Sequence, residues 1–406
     1  MRQTNGINRN DLKFFTPGVI IITIFACLGI FSIIYRLIFG LGAATNLDGQ
    51  YPWGIWIGID VASGVALAAG GFTSSFIAHI MHRERYDVIT RPALLTALLG
   101  YTFVAIGVMI DLGRYYWIWH PIMPSMWQGN SALFEVGMCV MLYVTVLYIE
   151  FMPIVIERFL GKVNFPGILS ILNHTTEIIL RIFNRFLSKS ISLFIIAGVV
   201  LSCMHQSSLG TLMAIVPSKL HPLWHTPILS LLFLMSAFSV GIAMVIFESI
   251  LASRSLKIPF ETPVLSQYAR YIPLLLWIYL FAKVLDMVSR DSYVYLQHVT
   301  LESSSFFLEM VLGVISPILI LSSRRLRKKV PWLFTGAALT IFGVLLNRIN
   351  VFVIGYSPPY ATERYVPSIM EILVTVGLIS CIILLYRFFV FHFPVHHAFK
   401  GKHYEG

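Results

Sequence analysis

The amino-acid sequence predicts an all-α integral membrane protein of about ten transmembrane helices in packed four-helix bundles, with both termini on the cytoplasmic side. Three observations carry this. Of 406 residues, 57% are hydrophobic and 12% charged, and the mean hydropathy of +0.80 is far above that of an average soluble domain. Apolar runs of about 20 residues, the length that spans roughly 30 Å of hydrocarbon, recur along the chain. The basic residues are shared unevenly between alternate loops.

The chain opens with a polar arm, residues 1–16, carrying Arg2, Arg9 and Lys13. No small-residue cleavage site follows the apolar run that begins at Pro17, so it reads as a retained helix and not a signal peptide. Apolar runs between charged or Pro/Gly-rich breaks place spans near 17–40, 53–80, 91–112, 131–157, 190–214, 227–252, 270–290, 302–322, 331–354 and 367–391. The membrane domain thus covers 17–391, and a cytoplasmic tail covers 392–406. Between the fourth and fifth spans, Ile168, Leu172, Ile179, Ile182 and Phe186 recur at helical spacing opposite His174, Glu177, Arg181 and Arg185. That pattern predicts an amphipathic helix lying on the cytoplasmic interface near 165–189.

If alternate loops face opposite sides, 22 basic residues share the side of both termini, and five, Arg36, Arg114, Lys219, Arg290 and Arg364, take the other. The positive-inside rule then puts both termini in the cytoplasm. Topology and anionic lipid account for the formal charge of +10, and no nucleic-acid partner is implied. Cys27, Cys139, Cys203 and Cys381 fall singly in four different spans, as apolar core thiols do, without the C-x-x-C spacing of iron–sulfur or zinc sites.

A charge inside a span costs at least a few kcal/mol, so each needs a partner, a water-filled cavity or a function. Most of those here lie towards the outer ends of their spans: Asp60, Asp111, Glu135, Lys283, Asp286, Glu302, Glu309, Arg348 and Glu371, with His205 in the outer half of the fifth. Glu150, Glu157 and Glu248 fall towards the cytoplasmic ends. Ion pairs that lock helices together, such as Lys283 with Asp286 on one helix face, explain any single residue. The whole outer cluster better suits a polar ligand head. A quinone fits: its carbonyls need hydrogen-bond donors, its reduction takes up two protons, and its isoprenoid tail wants an apolar cleft.

The segment YPWGIWIGID, Tyr51 to Asp60, supplies Trp53 and Trp56, three apart on one helix face, and an acid beyond them. DLGRYYW, Asp111 to Trp117, adds Arg114, Tyr115 and Tyr116 where a span meets the outer interface, while Trp117, Trp119 and Trp127 fit an interfacial aromatic belt. The candidate quinone-binding set is Trp53, Trp56, Asp60, Asp111, Arg114, Tyr115 and His205, and Glu135, Glu150 and Glu248 are candidates for proton transfer. No metal-ligand set emerges, and the chain is expected not to be catalytic alone. A haem b would need two histidines facing each other at one depth. His79 and His205 lie at different depths, so neither haem nor an iron–sulfur cluster is expected in this chain. A secondary transporter is the rival class, but its sites sit typically near the midplane on broken helices, which the outer bias of the charges opposes.

The stretches RLIFGLG (36–42), YPWGIWIGID (51–60), RPALLTALLGY (91–101), DLGRYYW (111–117), NSALFE (130–135), MHQSSLGTLM (204–213), KLHPLWH (219–225) and MVIFES (244–249) together resemble the integral membrane subunit of periplasmic uptake Ni/Fe-hydrogenases, the HybB-type branch of the NrfD/polysulfide reductase membrane-subunit family. The resemblance is collinear over roughly residues 36–250. It implies a ten-helix protein of the bacterial cytoplasmic membrane, without haem. Such a protein exchanges electrons between menaquinone near the periplasmic face and a periplasmic ferredoxin-like iron–sulfur subunit coupled to a hydrogenase catalytic subunit. The resemblance also points to Glu135 and Glu248 as acids that move protons. The same architecture serves polysulfide and nitrite reductases, so fold likeness does not fix the electron donor.

Overall fold

The computed structural model of this protein describes residues 14–81, 86–256 and 262–395, so the polar arm up to Lys13 and the tail beyond Val395 lie outside the described residues. Among those residues ten helices are long and apolar enough to cross a membrane: α1 Pro17–Phe39, α2 Trp56–Ala78, α3 Val88–Asp111, α4 Ala132–Phe159, α5 Leu172–Ala214, α6 Leu229–Ser255, α7 Thr262–Ser289, α8 Leu301–Ser322, α9 Val330–Ile354 and α10 Ile369–His392. The only β pairing there is an isolated antiparallel bridge between Leu220 and Tyr356. Alternation of the helices leaves two loop faces. On the terminal face the two described chain ends meet, with Phe14 edge-on to Phe391 at 5.4 Å and its carbonyl accepting from Arg387 Nε at 3.0 Å.

Two four-helix bundles form the body. In the first, α2, α3, α4 and α5 pack in sequence and α5 closes back onto α2; in the second, α6 to α9 do the same, with α9 closing onto α6. Small residues make the closest approaches. A Cβ on Gly241 of α6 would lie 2.8 Å from the Ala69 backbone of α2, where the bundles join, and Gly313 of α8 meets Gly343 of α9 backbone to backbone. With lipid outside as apolar as the helix interiors, such close backbone packing is a main source of helix association. α1 and α10 stand outside both bundles, packed on each other through Gly29 and Gly377, and α10 leans on α3 and α2.

Two expectations are corrected. The amphipathic segment is not a separate element: Leu172 to Ala214 is one unbroken helix of 43 residues, because no proline interrupts it between the two halves. Trp53 and Trp56 do not share a helix face. Pro52 and Gly54 keep the chain non-helical through Gly54, and the span begins at Trp56, so Trp53 lies in the preceding loop beside Tyr356 at 6.0 Å.

The distal face is knitted together by its loops. His221 N donates to Gly355 O at 2.8 Å, Ser357 N to Lys219 O at 2.7 Å, Asn46 Nδ2 to Val366 O at 2.9 Å and Ser368 Oγ to Ala44 O at 2.7 Å. Loop backbone that would otherwise be unsatisfied is paired here, so the loops form a fixed rim over the helix ends.

Candidate functional site

The distal ends of α1, α2, α3 and α10 converge on a cluster of buried charge. α2 contributes Asp60 from a π-helical stretch, Trp56–Ser63, in which Ser63 Oγ donates to Gly58 O, five residues back, at 2.8 Å. Single-turn π segments concentrate at functional sites because they turn side chains off the regular helical stripe. Asp60 Oδ2 accepts from Thr375 Oγ1 of α10 at 2.7 Å, and Gly107 of α3 leaves room beside it. At the end of α3, Asp111 stands within electrostatic reach of Asp60, of Arg36 at the end of α1 and of Glu371 at the start of α10.

Arg36 is fully buried; its Nη2 donates to the Leu112 carbonyl, and its guanidinium lies 5.4 Å from the Tyr115 ring centre. Glu371 is fully buried as well. It accepts from the Tyr365 hydroxyl, from Asn46 N at 3.2 Å and, reaching back to the N-cap of α10 in a capping box, from Ser368 N at 2.7 Å. Its own carbonyl accepts from Trp56 Nε1 at 3.1 Å. Burial, reinforced by the bond to Glu371, raises the pKa of the Tyr365 hydroxyl above that of an ordinary tyrosine, so it stays a proton donor. Tyr51 stacks on Tyr365 at 6.2 Å, and with Trp53 and Tyr356 they wall the rim.

Two buried polar atoms in this cluster, Arg36 Nε and Asp111 Oδ1, have no hydrogen-bond partner. A buried orphan donor and a buried orphan acceptor in one cluster mark where a ligand with polar atoms would bind. The structure thus brings Trp56, Asp60, Asp111 and Tyr115 together, sets Trp53 in the aromatic rim and leaves Arg114 exposed beside it. His205 is elsewhere, buried between α5 and α3 with Nδ1 3.4 Å from the Tyr101 hydroxyl and Nε2 without a partner. Four contributors, Arg36, Tyr365, Glu371 and Thr375, were not among the sequence candidates. For Arg36 and Glu371 the signal was there, an ionisable residue inside an apolar run; for Tyr365 and Thr375 there was none.

The three proton-transfer candidates fall in two groups. Glu135 Oε1, in the first turn of α4, accepts from Ser208 Oγ of α5 at 2.6 Å. One turn further in, His205, Tyr101 and Ser202 continue the polar row, with 3.4 Å from Tyr101 to each of the other two, and the Tyr143 ring stands edge-on to Tyr101 at 4.5 Å. Tyr143 leads to Glu150, whose carboxyl fits the gap left by Gly198. Glu248 lies apart, between α6, α3 and α10, bonded to the Thr96 and Tyr386 hydroxyls.

The second bundle holds its own network, and here the expected Lys283–Asp286 pair is corrected. Lys283 Nζ reaches across to Glu309 Oε1 of α8 at 2.5 Å, while Asp286 pairs with Arg290, four residues on, at 2.6 Å. The i,i+4 geometry suits Asp286 and Arg290 at the water-facing helix end, which frees Lys283 for the interior. Arg348 is fully buried over the Phe233 ring at 3.5 Å, with Asn347 Oδ1, Ser236 Oγ and Phe233 O as acceptors.

The family model for polysulphide reductase NrfD matches residues 43–358. The chain belongs to the polysulphide reductase NrfD family. Ten apolar helices and this membership make it a multi-pass integral membrane protein. It is 35% identical over 400 residues to a protein of Nitratidesulfovibrio vulgaris, covering 96% of this chain and 97% of that one. It is 31% identical over 367 residues to the "Probable Ni/Fe-hydrogenase 2 b-type cytochrome subunit" of Escherichia coli, covering 89% and 88%. It is 28% identical over 207 residues to the "Menaquinone reductase, integral membrane subunit" of Nitratidesulfovibrio vulgaris, covering 50% and 45%. The family match spans both four-helix bundles and stops short of α1 and α10.

Proposed function

We propose that this chain is the quinone-reactive membrane subunit of a respiratory oxidoreductase, binding menaquinone among Arg36, Trp56, Asp60, Asp111, Tyr115, Tyr365 and Glu371. The observation that carries the reading is the orphan donor Arg36 Nε and the orphan acceptor Asp111 Oδ1, two buried atoms of residues within electrostatic reach of each other in an acid-rich cluster. A quinone carbonyl takes the donor and the quinol hydroxyl takes the acceptor. Reduction to the quinol consumes two electrons and two protons, and Asp60, Asp111 and the Tyr365–Glu371 pair stand close enough to supply protons. Trp56 and the aromatic rim exclude water from the ring, and the exposed apolar sides of α1 and α10 offer lipid access for the tail.

The charge asymmetry between loops supports a terminal face in the cytoplasm and a site at the periplasmic face, and the bacterial relatives support a place in a bacterial inner membrane. Electrons then pass between menaquinone and a periplasmic ferredoxin-like iron–sulfur subunit, itself coupled to a Ni/Fe-hydrogenase. The hydrogenase and menaquinone reductase subunits named among the relatives support this order. A second reading, the membrane subunit of a different quinone-linked reductase, rests on the family's own name. Purifying the intact complex from membranes, identifying its other subunits and extracting bound quinone separates the two. In that complex Asp111→Asn or Arg36→Met should weaken menaquinone binding about tenfold or more, the loss expected from ~1.4 kcal/mol of one charge-assisted hydrogen bond. Unchanged quinone content in both variants rejects the site.

A further inference from the structure

Two stripes run side by side along the first half of α5, on the terminal face. Arg181, Arg185 and Lys189 repeat every four residues, and Ile178, Ile182 and Phe186 repeat beside them, together lining one open groove. Side chains four apart stack on one helix face about 6 Å from each other, so the three cations extend over about 12 Å. Arg181 is already paired with Glu177 at 3.1 Å, whereas Arg185 and Lys189 have no acidic partner within 4.0 Å among the described residues. Beside them Ile178, Ile182 and Phe186 are 44%, 63% and 55% exposed.

Depth decides what such a surface meets. Residues 190–214 alone give about 37 Å of helix, enough to cross the hydrocarbon, so 172–189 stand at the headgroup level or beyond it. The loop after α4 fastens that segment in place, through Gly161 N on Glu177 and Phe165 N on Asn173 Oδ1 at 2.8 Å. An apolar stripe at this level would be costly against water, and a pair of free cations costly against acyl chains. One ligand satisfies both, a molecule with an anionic head and a hydrocarbon chain.

We infer that the groove on residues 178–189 of α5 is a binding site for an anionic phospholipid, with its phosphate on Arg185 and Lys189 and an acyl chain along Ile178, Ile182 and Phe186. Two juxtamembrane cations make binding of phosphatidylglycerol stronger than binding of zwitterionic phosphatidylcholine by about 30-fold. The test is native mass spectrometry of the intact complex, titrated with each lipid, for the natural protein and for R185Q/K189Q. The proposal expects preferential retention of phosphatidylglycerol, lost in R185Q/K189Q and weakened for both lipids in I182A/F186A. Equal retention of the two lipids, or an unchanged preference in R185Q/K189Q, overturns it. A photo-reactive residue at position 182 checks the occupant in native membranes: cross-linking to lipid supports the site, and cross-linking to a protein subunit instead overturns it.

Discussion

Glu309 accepts four hydrogen bonds at once, from Lys283 and Asn347 on Oε1 and from Trp224 and Asn350 on Oε2, at 2.5 to 3.0 Å. Every acceptor direction of the carboxylate is used, which is how a charge is tolerated in an apolar bundle. Removing it leaves Lys283 without a counter-charge and Arg348 as a second buried cation. Glu309→Gln should therefore lower the stability of the purified complex by about 3–5 kcal/mol, and Glu309→Gln with Lys283→Met should recover part of it. Arg364→Ala, which breaks an exposed pair with Glu302, should cost less than about 1 kcal/mol. Thermal denaturation of the three variants checks the ranking.

His221, in the distal rim, carries a different prediction. Burial holds its imidazole pKa below the usual value, partly opposed by Glu302, and Leu223 N donates to its Nδ1 at 3.3 Å, a bond only the neutral ring accepts. The folded state thus binds a proton less readily than the unfolded one, and stability falls as pH drops below about 6.5. The melting midpoint should decline between pH 7 and 5, and less so in His221→Asn, whose amide oxygen is an acceptor at either pH.

At the scale of elements, apolar run length located the spans to within a few residues in most cases, because hydrocarbon thickness imposes one length on all of them. Three features escaped. The helix of α5 runs on through Ser188–Ser190 since polarity there changes what the helix touches and not its backbone. The π stretch around Asp60 depends on a Ser63 to Gly58 bond that leaves no periodic mark. The ion-pair partner of Lys283 lies on another helix, and which helices are neighbours is a property of packing, which is also why Tyr365 and Thr375 went unseen while Asp60 and Asp111 announced themselves as charges in lipid.

Packing also explains why α1 matters although it is mostly exposed. It is held by the Gly29–Gly377 approach, and through it Arg36 reaches the site. Gly377→Leu should push α1 from α10 at a cost of about 1–3 kcal/mol. Cys381, partly buried on the same helix, should then be alkylated faster by a membrane-permeant maleimide, and menaquinone binding should weaken. An unchanged alkylation rate would mean that the pair repacks without separating.

The molecule as a whole sets acids at both faces, with a candidate quinone site at one only. The row from Glu135 through Ser208, His205, Tyr101, Ser202 and Tyr143 to Glu150 runs most of the way through the first bundle, and Thr96, the partner of Glu248, is five residues from Tyr101 on α3, about 7.5 Å along its axis. If protons reach the quinone from the terminal face while electrons arrive at the distal face, each turnover moves charge across the membrane, worth about 2.3 kcal/mol per charge per 100 mV. Glu248→Gln keeps the hydrogen bonds from Thr96 and Tyr386 in reach but cannot carry a proton. In proteoliposomes holding the intact complex, it should leave quinone bound while abolishing proton uptake from the terminal side and, since the quinol's two protons arrive by that route, slow quinone reduction even in the presence of an uncoupler; the same uptake as in the natural protein would mean that terminal-side protons enter by a route without Glu248, such as the row that ends at Glu150.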